Sequence, residues 1–227
     1  MVYIHKNTDT LVLKKFESYM NNYLFPTLIF LFFSLTHTVW ASDSFKLNLF
    51  RKFPSFKYFY RFTYSLVSIL ILGFWYKSIP SAYNVFFKLD SPYSYVFNLI
   101  QLIAVLGLVH AVLISYPRIF IGIHQLFDRK NDNYFLDEPM HKTQLRITSM
   151  YKYVRHPMYF WSICYVLFNP ILTDRSLYML IVFILYFYIG SFPEEKKLEA
   201  RFGSLYVNYK KQVPRLLPSF IKSYKSE

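Results

Sequence analysis

The residues best suited to chemistry in this 227-residue chain form two clusters on either side of a short apolar stretch. The first is Arg155-His156-Pro157-Met158-Tyr159, and the second is Glu194-Glu195 followed by Lys196-Lys197. An arginine presents a planar fork that grips a carboxylate with two parallel hydrogen bonds. A histidine exchanges protons near neutral pH, since its ordinary pKa is about 6.5. Adjacent carboxylates accept hydrogen bonds from hydroxyls, and tyrosine offers both a ring face and an O–H. A plainer reading of the same residues stands beside this one. Arg155 and His156 serve equally as interfacial anchors, and Glu-Glu followed by Lys-Lys as a solvated helix start whose acidic charges suit the helix dipole.

The apolar stretch is what must bring the clusters together. Residues 158–172 and 177–192 are two apolar runs joined by Thr173-Asp174-Arg175-Ser176, which predicts an antiparallel helical hairpin with both clusters at one membrane face. Each run is short for a full crossing. It either crosses where the bilayer thins or stops part-way while lining a cavity. Beyond the hairpin, Leu198, Phe202, Leu205 or Tyr206, Tyr209 and Val213 recur at helical spacing among Lys196, Lys197, Arg201, Lys210 and Lys211. That pattern predicts an amphipathic tail helix lying on the inner leaflet.

The rest of the chain reads as membrane support. Its 54% hydrophobic content and mean hydropathy of +0.22 are too apolar for an ordinary soluble domain. Apolar runs at 23–41, 62–79 and 93–115 precede the hairpin, so the predicted fold is all-α and polytopic, with about five transmembrane helices. The first eighteen or so residues lack the apolar core of a cleavable signal, so the first span is expected to be retained. Residues 1–115 are expected to form a three-span support. Residues 116–227 are expected to carry a hydrophilic connector too long to be only a link, then the hairpin and tail as the catalytic region. Of the 26 Lys and Arg residues, 20 fall in 42–61, 116–157 and the tail after 192. The positive-inside rule then sets the amino terminus outside and the carboxyl terminus in the cytoplasm, at the inner membrane if the source is bacterial. The net charge of +13 is explained by this topology, and no nucleic-acid partner is expected.

Three further features bear on function. Cys164 stands alone inside an apolar run and reads as packing. The five glycines lie far apart, which excludes a glycine-rich dinucleotide loop. His37 and His110 lie at similar depth, near the cytoplasmic ends of the first and third spans. Intramembrane histidines point to a shared polar substrate pocket, although each can instead hydrogen-bond neighbouring backbone, and bis-histidine haem ligation also fits the depth. No metal ion is expected.

Arg-His-Pro-x-Tyr, an apolar hairpin, Glu-Glu, then Phe202-Gly203-x-x-Tyr206-x-x-Tyr209 and Val213-Pro214-Arg215 before Pro218 form an ordered set over about seventy residues. This set resembles the integral-membrane methyltransferases related to isoprenylcysteine carboxyl methyltransferase and the phospholipid methyltransferases. The resemblance implies S-adenosylmethionine as cofactor. It implies that Arg155 pairs with the methionyl carboxylate, that Glu194 or Glu195 accepts from the ribose, and that Tyr159, Tyr206 or Tyr209 stacks on adenine or faces the sulfonium. His156 would contact the cofactor or help deprotonate an acceptor, and the tail would cap the cofactor with Arg215 near the pocket. Arg155, His156 and Glu195 are then the expected catalytic set. Trp161 departs from the family pattern, which has a small residue there. The indole either reshapes the pocket wall or points into lipid while Ser162 takes the small-residue role.

Upstream, Ser34-Leu35-Thr36-His37-Thr38-Val39-Trp40-Ala41-Ser42, Tyr60-Arg61-Phe62-Thr63-Tyr64 and Phe120-Ile121-Gly122-Ile123-His124-Gln125 resemble the NnrU and methanethiol S-methyltransferase branch. That branch implies a small thiol acceptor; a prenylcysteine-like or lipid acceptor also suits the core motif. The expected partners are thus a small-molecule or lipid-like acceptor and membrane lipids. Two rival readings remain: a nicotinamide-dependent reductase of the steroid-reductase type, which typically carries Asn where Met158 stands, and a non-catalytic, haem-associated NnrU-like protein.

Overall fold

The computed structural model describes residues 3–81, 84–114, 123, 127, 145–219 and 223–224, with side chains described at 17 and from 21 onward. Apart from Ile123, the upstream motif at 120–125 lies outside these residues, as do Arg118, Arg129, Lys130 and Lys142. The chain divides into two compact units.

The first unit holds α1 (Tyr3–Ala41), α2 (Asp43–Lys52) and α3 (Lys57–Ser78), with a short 3-10 turn at Pro54–Phe56 between the last two. Ser42 separates α1 from α2 because its hydroxyl caps the second helix, accepting from the Phe45 N–H. Asp43 in the first turn of α2 and Arg51 and Lys52 in its last turn complement the helix dipole. The face between α1 and α3 is aromatic. Phe30 lies 4.8 Å from Trp75, His37 4.8 Å from Tyr64, and the Tyr60 hydroxyl donates to the Trp40 carbonyl.

The second unit holds β1 (Val85–Lys88), α4 (Tyr93–Ile114), a 3-10 turn at Ser149–Lys152, α5 (Pro157–Leu167), β2 (Ile171–Thr173), α6 (Asp174–Phe202) and α7 (Ser204–Gln212). The two strands pair antiparallel, with Val85 opposite Thr173 and Lys88 opposite Ile171. This small sheet is an addition to the expected all-helical hairpin. It forms because the first apolar run leaves the helix at Leu167: Pro170 can offer no N–H, and the Asn169 side chain accepts from Ile171 N instead. Thr173 and Ser176 are then not a simple turn but a reciprocal capping box that starts α6.

α4 packs on α5 through small residues. Ala104 and Ala111 are buried, and a Cβ added to Gly107 would overlap the Trp161 indole. Small residues at this spacing let two helices approach closely where lipid supplies no hydrophobic drive. Trp161 is therefore turned to α4.

Among the described residues, three helices are long and apolar enough to cross a membrane: Asn21–Ala41, Tyr93–Ile114 and Asp174–Phe202. Their exposed side chains, among them Leu31, Leu35, Leu99, Leu106, Ile181 and Leu185, are those a lipid environment would cover. This is an integral membrane protein. The 22 residues of α3 give it about 33 Å of length, whereas the 11 residues of α5 give about 17 Å, too little for a core of about 30 Å.

Candidate active site

The site begins with the turn that enters α5. Pro157 occupies the first helical position, where its missing N–H costs nothing, and this leaves the Arg155 and His156 amides outside the helix. Both are satisfied by the returning tail. Arg155 N donates to Pro214 O at 2.9 Å and His156 N to Arg215 O at 3.2 Å. The pairing extends to either side, with Ser219 N on Tyr153 O and Tyr224 N on Lys152 O, both at 3.0 Å, and the Tyr209 hydroxyl on Tyr151 O at 2.7 Å. Residues 209–224 thus lace onto residues 151–156.

The tail reaches this position because Gly203 breaks the helix. Its φ of +57° and ψ of −133° suit a residue without a Cβ, and the chain restarts as α7 in a new direction. The apolar stripe of the tail then faces the protein. Tyr206, Tyr209 and Val213 are each at most 3% exposed, packed with Leu145, Ile147, Leu198, Phe202 and Tyr224. This corrects the expectation of a stripe laid on the lipid surface. The Tyr206 and Tyr209 rings lie within this core.

At the centre is Glu195, whose side chain is 2% exposed. Its Oε1 accepts from Arg215 Nε at 3.1 Å and lies 3.2 Å from His156 Nε2; its Oε2 accepts from Arg155 Nη1 and Arg215 Nη2, both at 3.1 Å. Lys210 Nζ stands 3.5 Å from the same Oε2 and also pairs with Glu199. Arg215 further lays its guanidinium over the Phe192 ring, 3.9 Å from the centroid. Both oxygens are thus engaged by Arg155, His156 and Arg215, and the sequence order Glu-Glu hid the difference between the pair.

Glu194 is the accessible partner, its side chain 47% exposed. It accepts from the Tyr159 hydroxyl at 2.7 Å and lies 3.5 Å from His156 Nδ1. The Tyr159 ring stacks with His156 at 4.9 Å and with Phe187 at 4.4 Å, nearly parallel to both. Phe187 escaped sequence reasoning, although it precedes Glu194 by two helical turns and so shares its face. Lys210 and Phe192 were also missed, and no local spacing marks them as neighbours of Glu195 and Arg215.

His156 is buried, and burial by itself would lower its pKa; the hydrogen bonds and negative charge of Glu194 and Glu195 outweigh this and hold it above the ordinary 6.5. Each ring nitrogen already faces a carboxylate.

Arg155 retains an open donor. Its side chain is 9% exposed, and its Nε is buried with no hydrogen-bond partner among the described residues. A buried guanidinium donor left open is costly, and an incoming carboxylate would satisfy it. His37 and His110 each have hydrogen-bond partners of their own. His37 stands 2.7 Å by Nε2 from the Tyr64 hydroxyl and 3.2 Å by Nδ1 from Ser68 Oγ, and His110 Nε2 lies 2.9 Å from Ser149 Oγ, at a residue with φ of +53°.

Comparison with known proteins places these residues in context. The chain is 30% identical over 221 residues to a methanethiol S-methyltransferase of Crocosphaera subtropica, covering 96% of this chain and 82% of that protein. It is 32% identical over 200 residues to a methanethiol S-methyltransferase of Pseudomonas deceptionensis, covering 86% of this chain and 72% of that one. A methanethiol S-methyltransferase 1 of Bradyrhizobium diazoefficiens is 28% identical over 196 residues, 84% of this chain and 65% of its own length. No family model and no solved structure matches the chain.

Proposed function

Because this chain belongs to the methanethiol S-methyltransferase family of integral-membrane methyltransferases, we propose that it moves the methyl group of S-adenosylmethionine onto the sulfur of a small thiol. The observation that carries the cofactor reading is the open Nε of Arg155, a buried donor without a hydrogen-bond partner among the described residues. Arg155 would hold the methionyl carboxylate, and the half-exposed Glu194 would accept from the ribose hydroxyls. When bound, the donor supplies an already activated methyl: its carbon–sulfonium bond breaks as the bond to the acceptor sulfur forms, and the thiol proton is released.

What remains for the protein is positioning. Glu195 fixes the aim of Arg155 and Arg215, and His156 ties Glu194 to the same scaffold. No nucleophilic side chain is needed, so the rate gain comes from orientation and exclusion of water. The basic residues on either side of the motif support a topology with the site facing the cytoplasm, where the donor is made. A reductase is disfavoured, since the relatives are methyltransferases and Met158 occupies the position of the reductase Asn.

The test is methyl transfer by purified protein in liposomes from radiolabelled S-adenosylmethionine, offered methanethiol, farnesylcysteine and phosphatidylethanolamine in parallel. Label is expected in a volatile thioether and absent from the other two, and lost in Arg155→Ala. Label in the lipid or the farnesylcysteine alone would refute the thiol reading.

A further inference from the structure

Within the second unit, α6 carries Phe183, Phe187, Gly190 and Glu194 at helical spacing, which places them on one face. Tyr159 of α5 spans the last part of that face: its ring stacks on Phe187 at 4.4 Å and its hydroxyl donates to Glu194 at 2.7 Å. Gly190 stands between these two contacts. Apart from its chain neighbours and its own helix backbone, a Cβ built on Gly190 meets nothing within 4 Å among the described residues. Phe183, Tyr186 and Phe187 around it are all half-buried, so the open space lies on the more covered side of the helix. Glycine is also a poor choice for a helix interior, where alanine or leucine would hold the helix better.

The position of the space points to its guest. Gly190 precedes Glu194 by four residues, about 6 Å along the helix. On the donor reading Glu194 takes the ribose, and the sulfonium of S-adenosylmethionine is carried on that same ribose. A molecule at Gly190 would thus stand close to the methyl group, as an in-line attack requires. No charged residue occurs on α6 between Arg175 and Glu194, so an acceptor bearing a charged headgroup would find no counter-charge there. Sulfur makes favourable contacts with aromatic rings, and Tyr159 and Phe187 supply two beside the space.

We propose that the open space at Gly190 receives the acceptor thiol, and that the missing side chain there is what admits it. This rests on the thiol-methylation reading and adds to it the place of the acceptor and a residue that determines its specificity.

The experiment uses the full-length protein in lipid nanodiscs, with initial rates of methyl transfer to methanethiol and to propanethiol, and calorimetric titration with S-adenosylhomocysteine. Gly190→Leu fills the space and is expected to raise the KM for methanethiol by about tenfold or more. Gly190→Ala takes the room of one carbon and is expected to lower kcat/KM for propanethiol at least about tenfold more than for methanethiol. Both variants are expected to keep S-adenosylhomocysteine affinity within about twofold, and an unfolding midpoint at or above wild type, since the added side chain meets no neighbour and favours the helix. A purely structural glycine would leave the preference between the two thiols unmoved. A wild-type KM for methanethiol in Gly190→Leu, with an unchanged preference in Gly190→Ala, overturns the acceptor site and leaves thiol methylation standing. Loss of S-adenosylhomocysteine affinity in either variant gives the space to the donor and also overturns it. A wild type that methylates neither thiol overturns both readings.

Discussion

Replacing Glu195 by Gln isolates the charge at the centre of the cluster while keeping its shape. The amide retains one oxygen but puts an N–H₂ where Oε2 now accepts from Arg155 Nη1 and Arg215 Nη2. Two charge-assisted hydrogen bonds disappear, each contributing about 1.5–3 kcal/mol, for a loss of about 3–6 kcal/mol. This agrees with the about 3–5 kcal/mol typical of breaking a buried ion pair. The loss divides between the stability of the laced tail and the aim of Arg155 at the donor. Its lower end alone, about 3 kcal/mol, corresponds to more than a hundredfold in an equilibrium constant. S-adenosylhomocysteine affinity, measured by calorimetry on detergent-purified protein, is therefore expected to fall by about a hundredfold in Glu195→Gln. The midpoint of thermal unfolding should fall with it. Glu194→Gln should also weaken binding but leave the unfolding midpoint close to wild type, because that side chain is half exposed and holds no tail residue. Affinity within about threefold of wild type in Glu195→Gln, with an unchanged midpoint, would refute the positioning role.

Two further outcomes follow from the same geometry. The His156 pKa is raised in the folded protein, so its stabilising contribution is complete below the ordinary 6.5 and is lost as pH rises through the raised value. The unfolding midpoint should decline on the alkaline side in the wild type, and His156→Gln should flatten that limb. In the α4–α5 contact, Gly107→Ala forces a methyl into the Trp161 indole and should cost about 1–3 kcal/mol by chemical denaturation, with Trp161→Leu recovering most of it in the double variant.

Much of the site was legible because its parts sit at the ends of recognisable apolar runs: Arg155, His156 and Tyr159 before one, Glu194 after the other. What the sequence could not separate is Glu194 from Glu195. Adjacent helical residues differ by about 100° in direction, and which of them turns inward depends on Arg215, which returns from beyond the next helix. The same holds for the tail. Its apolar period was plain, but part of the surface that covers Tyr206 and Tyr209 comes from Leu145 and Ile147, far away along the chain. The early end of α5 had a local cause in Pro170, whereas the pairing of β1 with β2 joins segments more than eighty residues apart.

The lacing of residues 209–224 onto 151–156 also orders events during synthesis. The described apolar helices are all made before Arg215, so they can insert while Arg155 and His156 still lack the carbonyls that receive their amides. On the proposed reading, such a nascent chain is embedded before it can hold the methyl donor. Competence arrives as a late step, when the tail swings back from Gly203 and closes on the turn before α5.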